Sequence, residues 1–355
     1  MKILYLSREC SNQNNGATQV MKRNKNALLN IVPKEDFKEL ILPQITIANV
    51  AESIIFDTSY AVPKKFEKTI ISIAETFSPD FVFIDGSSYG SICKSLKNHG
   101  FKTIVFAHNL DTSLCKQELK SRSPLISYPK YWSTKRNERK SSEYADILIC
   151  LTERDSKAFQ SQFNRKADVV LPITFPLRNF KIHNDNRPQS NKSFLFVGSD
   201  FFPNIEGIEW FIKHVAPFVD ADFRIVGSCC DNPTLKNIDI PPNVTLVGYA
   251  DDIVSEYMSS TGVIAPIFKG SGMKTKTVEA LSYAKSIFGT SEAFAGIDCD
   301  YSQIGGLCNT QNDFIKALSR TDITNHNSYS ENLFERKYSN EVFQQQLSEL
   351  FYKLC

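Results

Sequence analysis

Residues 270–285, GSGMKTKTVEALSYAK, hold the densest set of groups able to do chemistry. Gly270, Ser271 and Gly272 form a loop of small residues that lets backbone approach a ligand closely. The loop runs into an amphipathic helix whose first-turn N–H groups favour an anion. Lys274 and Lys276 fall in that turn, where the helix dipole by itself favours acids. Cations set against their own helix dipole indicate a bound anion; the alternative is an ordinary solvated helix start.

Other chemistries find less support. There is no GxSxG, and no cysteine has a clearly placed histidine partner, so nucleophilic catalysis has no motif. Asp220/Asp222 and Asp298/Asp300 match an Asp-x-Asp pattern too short to specify a metal site, so no metal is expected. No GxGxxG follows the first strand, where Gly16 in SNQNNGATQV stands alone, which argues against a dinucleotide cofactor. Residues 116–140 interleave eight lysines and arginines with Tyr128, Tyr131 and Trp132. That mixture suits an anionic membrane surface or the phosphates of a lipid-linked acceptor, and would also suit a solvated helix face with buried aromatics or, with no other support in the chain, RNA stacking.

These groups must be positioned by alternating strands and helices. In the first half, residues 2–7, 81–85, 103–107, 146–151 and 168–171 are short apolar runs, with helices over 17–31 and 88–99. Nearly all-apolar strands are those covered by helices on both faces, so a parallel, doubly wound sheet follows. Residues 180–192, FKIHNDNRPQSNK, are polar, aperiodic and hold a proline, the marks of a linker, and His183 within them reads as solvated.

The second half repeats the plan. Strands at 194–197, 223–226, 244–247, 263–266 and 287–288 are interleaved with helices, one starting near Asn204 and one capped by Asp251 or Asp252. Gly198, Gly227 and Gly248 follow strand ends, where such sheets bind ligands. Residues 339–354 carry an apolar face that would pack as a helix, back across the first domain. The resulting division is 1–178, linker 179–192, 193–338 and a terminal helix 339–355.

With 355 residues two domains are expected. A hydrophobic share of 42% with 23% charged residues is that of a globular chain, and a net charge of +2 gives no global case for nucleic acid. Nine cysteines without CxxC or ligand spacing read as free thiols in a reducing compartment. The short apolar run of MKILYLSREC is unlike a signal peptide, and a cytoplasmic protein is expected, with peripheral contact to the inner face of a membrane open.

The stretches FVGSDFFPNIEGIEWF (196–211), RIVGS (224–228), NVTLVGYADDI (243–253) and APIFKGSGMKTKTVEALSYAKSIFGTSEAFAGI (265–297) follow in an order and spacing that resemble the nucleotide-sugar domain of GT-B glycosyltransferases. The likeness is closest to the family 4 retaining enzymes (glycosyl transferases group 1). The first half resembles that family through MKILYLS, the Gly16 loop and VFAHNLD. The resemblance implies an α/β GT-B fold, two doubly wound Rossmann-like domains facing each other across a cleft, the second holding a nucleoside-diphosphate sugar and the first the acceptor.

The resemblance also implies roles. Glu279 matches a glutamate that grips ribose hydroxyls, a task a carboxylate suits because it accepts from both. Gly272 and Met273 match positions whose amides meet phosphate or sugar, Gly227 lies at a ligand-facing strand end, and Tyr249 falls where the base is contacted. His108 matches a histidine facing the donor sugar. Two departures stand out: Ser271 replaces a glutamate that binds sugar hydroxyls, and Ser199 replaces an arginine, with Asn204 and Glu206 near the expected lysine. Lys274 and Lys276 are then the candidates for the diphosphate charge. A metal-independent retaining transfer to a glycan or lipid-linked acceptor is expected, in surface polysaccharide biosynthesis; a silent binding subunit and a nucleotide-sugar epimerase of the same architecture are the alternatives.

Overall fold

The computed structural model describes residues 1–8, 16–119, 124–178, 192–270 and 272–354. Ser271 and most of the expected linker, His183 included, lie outside them. The chain divides into two compact units, Met1–Pro172 with Gln344–Cys355, and Ile173–Phe343.

The first unit is built on a parallel sheet of β1 (Ile3–Arg8), β2 (Phe37–Leu42), β3 (Phe81–Asp85), β4 (Thr103–Ala107), β5 (Ile147–Cys150) and β6 (Val169–Val170). Their order is β2-β1-β3-β4-β5-β6. The central strands β3 and β4 are buried at every residue, which is why they read as unbroken apolar runs. β2, FKELIL, is missing from the sequence expectation for the converse reason: it is an edge strand with partly hydrated positions, so lysine and glutamate interrupt it. The second helix expected over 88–99 spans Gly90–Asn98. The helix Asn340–Leu354 packs its later residues on this unit, with Phe351 edge-on to Phe81 at 5.5 Å and Gln344 Nε2 donating to the Ala27 carbonyl at 3.1 Å.

The second unit holds β7 (Ser193–Val197), β8 (Asp222–Val226), β9 (Val244–Gly248), β10 (Gly262–Ala265), β11 (Ser286–Gly289) and β12 (Gly305–Leu307). The order is β12-β11-β10-β7-β8-β9, all parallel. The chain winds outward from β7 through β8 to β9, and outward the other way from β10, so the β7/β10 boundary is where winding reverses. Phe194, Phe211, Phe223, Phe288 and Phe314 fill the core beside the sheet, each fully buried. Burial stabilises each by about 1.5–3 kcal/mol relative to exposure. Ile173–Arg178 group with this unit, where Phe175 bridges Ser339 in parallel. The helix expected near Asn204 begins at Phe202, its Pro203 in the first turn where no N–H is needed.

No helix among the described residues is long and apolar enough to cross a membrane. The described cysteines are free, and all but Cys299 are buried.

Candidate active site

In the second unit the carboxyl ends of β10, β7 and β8 lie side by side at the winding reversal, the place where open α/β sheets bind ligands. Gly227, after β8, has φ +110°, and a Cβ there would stand 2.2 Å from the Gly198 carbonyl oxygen after β7. Only glycine permits both the backbone conformation and that approach. Ser199 accepts from Asn204 Nδ2 through its carbonyl and Oγ, at 2.9 and 3.3 Å. Asn204 in turn accepts the Lys276 ammonium on Oδ1 at 2.6 Å.

The loop after β10 leads through Gly272, at φ +64°, and the buried Met273 into the helix Thr275–Ser282. Lys274 and Lys276, grouped by the sequence as two phosphate cations, separate here. Lys274, at the N-cap, donates to Glu292 Oε1 at 2.7 Å and to the Gly272 carbonyl at 2.9 Å, so its charge is engaged in holding the loop. Lys276 reaches toward β7, its Nζ 4.2 Å from the Phe196 ring centroid. Burial pushes its pKa down to about 7. A bound anion would restore the charge.

Glu279, one turn on from Lys276, accepts the Tyr257 hydroxyl on Oε2 at 3.3 Å, and burial raises its carboxyl above the usual range. Beside it stand three stacked groups that sequence reasoning missed. The Tyr257 and Tyr283 rings stack at 4.1 Å and 8°, and the Arg178 guanidinium lies 4.0 Å from the Tyr283 ring centroid. Arg178 Nε also donates to Ser282 Oγ at 3.1 Å. A single arginine before a polar linker carries no signal of this. Tyr249 ends away from the reversal, at edge strand β9, with 85% of its surface exposed.

The Asp298/Asp300 pattern has local duties. Asp300 caps the helix Tyr301–Ile304 through the Ser302 N–H at 2.9 Å, and Asp298 pairs with Lys337 at 3.2 Å. Among the described residues no group of three or more histidines, cysteines or acids could hold a metal.

In the first unit His108 follows β4, and its Nε2 lies 2.5 Å from Oδ1 of Asp85, the last residue of the neighbouring β3. Asp85 is buried and also accepts from the Tyr5 hydroxyl of β1 and from Asn24 Nδ2 at 3.1 and 3.2 Å. Asn24 is carried by the helix Gly16–Ile31, which Gly16 opens. A carboxylate held by the Tyr5 and Asn24 donors orients the imidazole through Nε2, with Nδ1 at the other side of the ring. Arg23 on the same helix lies with its guanidinium 5.4 Å from the Phe106 ring, and burial brings its pKa down to about 9. Glu138, also absent from the sequence reading, sets the loop after His108: its carboxylate accepts the Asp111 and Thr112 N–H groups at 2.7 and 2.9 Å.

These two units, each a parallel sheet covered by helices, have the architecture of solved GT-B proteins. Sucrose-phosphate synthase from Thermosynechococcus elongatus superposes with a TM-score of 0.73 at 14% identity, covering 99% of this chain and 98% of that one. The lipopolysaccharide outer core galactosyltransferase WaaB in its apo form gives 0.69 at 14% identity over 100% of both chains. Anabaena HepE in complex with UDP-glucose gives 0.69 at 12% identity over 99% and 100%. The chain is thus an α/β protein of GT-B type. Residues 191–320, which contain the Lys276–Glu279 helix, match the family model described as glycosyl transferases group 1, and fold and match together make the chain a glycosyltransferase. No curated protein matches it in sequence.

Proposed function

We propose that the protein is a retaining glycosyltransferase of family 4 that moves a hexose from a nucleoside-diphosphate sugar to a glycan or lipid-linked acceptor, without a metal, in surface polysaccharide biosynthesis. The observation that carries this reading is the placement of Lys276 and Glu279 one helical turn apart at the winding reversal, a basic and an acidic side chain on one helix face. Glu279 takes the ribose hydroxyls. Lys276, with the Gly272 and Met273 amides and the helix start, takes the diphosphate. That Anabaena HepE is solved with UDP-glucose supports a uridine donor.

His108 faces the donor sugar, its imidazole oriented by Asp85. The leaving phosphate takes the acceptor proton while the acceptor oxygen attacks the anomeric carbon on the same face, so the protein supplies positioning and phosphate-charge stabilisation. Ser271 and Ser199 stand where the family has acid and arginine, and Asn204 with Lys276 replaces the missing basic pair. The protein works in the cytoplasm on the inner membrane face, residues 116–140 meeting anionic lipid.

The test is release of nucleoside diphosphate from a panel of nucleotide sugars, with and without glycan and lipid-linked acceptors and with chelator present. Acceptor-dependent release that survives chelation supports the proposal. Donor binding without turnover on any acceptor would indicate a silent subunit, and sugar interconversion without diphosphate release an epimerase.

A further inference from the structure

The helix Ile47–Ile55, IANVAESII, is amphipathic in the wrong sense for a globular surface. Ile47, Ala51, Ile54 and Ile55 fall within about 100° of arc at helical spacing, and this apolar stripe faces solvent. Ile47 is 92% and Ile55 74% exposed, while the polar Ser53 is the buried residue of the helix. Ile45 before the helix and Phe56 after it extend the apolar surface, at 59% and 50% exposure. Neighbouring isoleucines left in water at this density mark a docking surface.

The rim identifies the occupant. Lys64 Nζ lies 5.0 Å from the Phe56 ring, and Lys65 and Lys68 follow it exposed on the next helix. On the other side Asp57 is bound by Arg136 at 3.3 Å and Lys140 at 3.0 Å, which ties the end of this helix to the basic helix Pro124–Tyr144. There Tyr128 and Trp132 are half exposed, and Lys135 lies 5.5 Å from the Trp132 ring. The one acid of the short helix, Glu52, is engaged by the Lys64 N–H at 3.0 Å. An apolar stripe flanked by cations and interfacial aromatics complements acyl chains beneath anionic headgroups.

We infer that the helix Ile47–Ile55 inserts shallowly into an anionic bilayer, with the lysines and arginines around it on lipid phosphates. This builds on the membrane contact proposed for residues 116–140 and moves the inserting element to a helix outside them.

The full-length protein is floated with vesicles of phosphatidylglycerol and phosphatidylcholine, and with phosphatidylcholine alone. Flotation with the anionic vesicles only, reduced about tenfold or more in Ile47→Glu/Ile55→Glu, is the expected result. Nucleotide binding and the thermal midpoint of that variant should match the parent, which separates this outcome from failure of the transferase reading. Undiminished flotation of Ile47→Glu/Ile55→Glu overturns the inference; if Lys135→Glu/Arg139→Glu then abolishes it, residues 116–140 alone make the contact. A concentration-dependent dimer that Ile47→Glu/Ile55→Glu dissolves, with no flotation of the parent, assigns the stripe to a second copy and also overturns it.

Discussion

The Lys276 ammonium sits 2.6 Å from Asn204 Oδ1, joining the helix after β10 to the helix after β7 at the winding reversal. Its hydrogen-bond partner is a neutral amide, so a ligand can supply the counter-charge. Lys276→Ala should therefore weaken a nucleoside diphosphate about 10- to 100-fold, the range of a hydrogen bond to a charged group, and the bare nucleoside about twofold or less. Calorimetric titration with both ligands checks this; equal losses would remove Lys276 from the phosphate site.

The depressed pKa of Lys276, about 7 without ligand, makes diphosphate binding proton-linked. Binding raises the pKa, so the complex holds more protons than its components. Uptake should approach one proton at about pH 8, and affinity should fall as pH rises above about 7. Titrations in buffers of different ionisation enthalpy measure the uptake. Lys276→Met should abolish it.

Lys274 should behave differently. Its ammonium is paired with Glu292 and bound to the Gly272 carbonyl, so Lys274→Met should disturb the loop more than it removes charge from a ligand. Loss of a largely buried pair destabilises by about 1–3 kcal/mol, and Lys274→Met should lower the denaturant midpoint accordingly. Lys276→Met should lower it less, because Lys276 gives up a hydrogen bond to a neutral amide and no ion pair. Equilibrium urea unfolding of the two variants separates them.

Asp85→Asn preserves shape but not the acceptor pair that holds His108 Nε2. It should lower kcat about 100-fold while changing donor KM less than about threefold, the signature of lost orientation rather than lost binding. His108→Ala should give a similar loss, and the double variant no further one. Steady-state kinetics on the acceptor found in the donor panel provide the measurement.

Gly227→Ala tests the close approach of β7 and β8. At φ +110° with the Gly198 carbonyl 2.2 Å from the new Cβ, the strands must part. A loss of about 2–4 kcal/mol is expected from backbone strain and steric displacement, read as a lower urea midpoint with weaker nucleotide binding.

Much of this was legible because it is local. Short apolar runs ending in glycine indicated strands with ligand-facing ends, and Asp252 was one of two acids named as a helix cap. Two edge strands, β2 and β12, were not legible because they carry polar or glycine residues, whereas the edge strands β6 and β9 kept apolar runs and were expected. The stripe of the Ile47–Ile55 helix has an obvious helical period, but periodicity cannot say whether an apolar face turns in or out.

By itself the sequence determined that Lys276 and Glu279 share a helix face behind a glycine loop, since a spacing of three residues settles this wherever a helix forms. The tertiary structure alone decided that His108 meets Asp85, 23 residues back, because β3 and β4 are neighbours in the sheet. It also decided that Lys274 is claimed by Glu292, 18 residues on, while Lys276 is held by a neutral amide. Two lysines two residues apart look alike in a sequence. Which is left to take its counter-charge from a ligand depends on groups that strand order and loop closure bring to each.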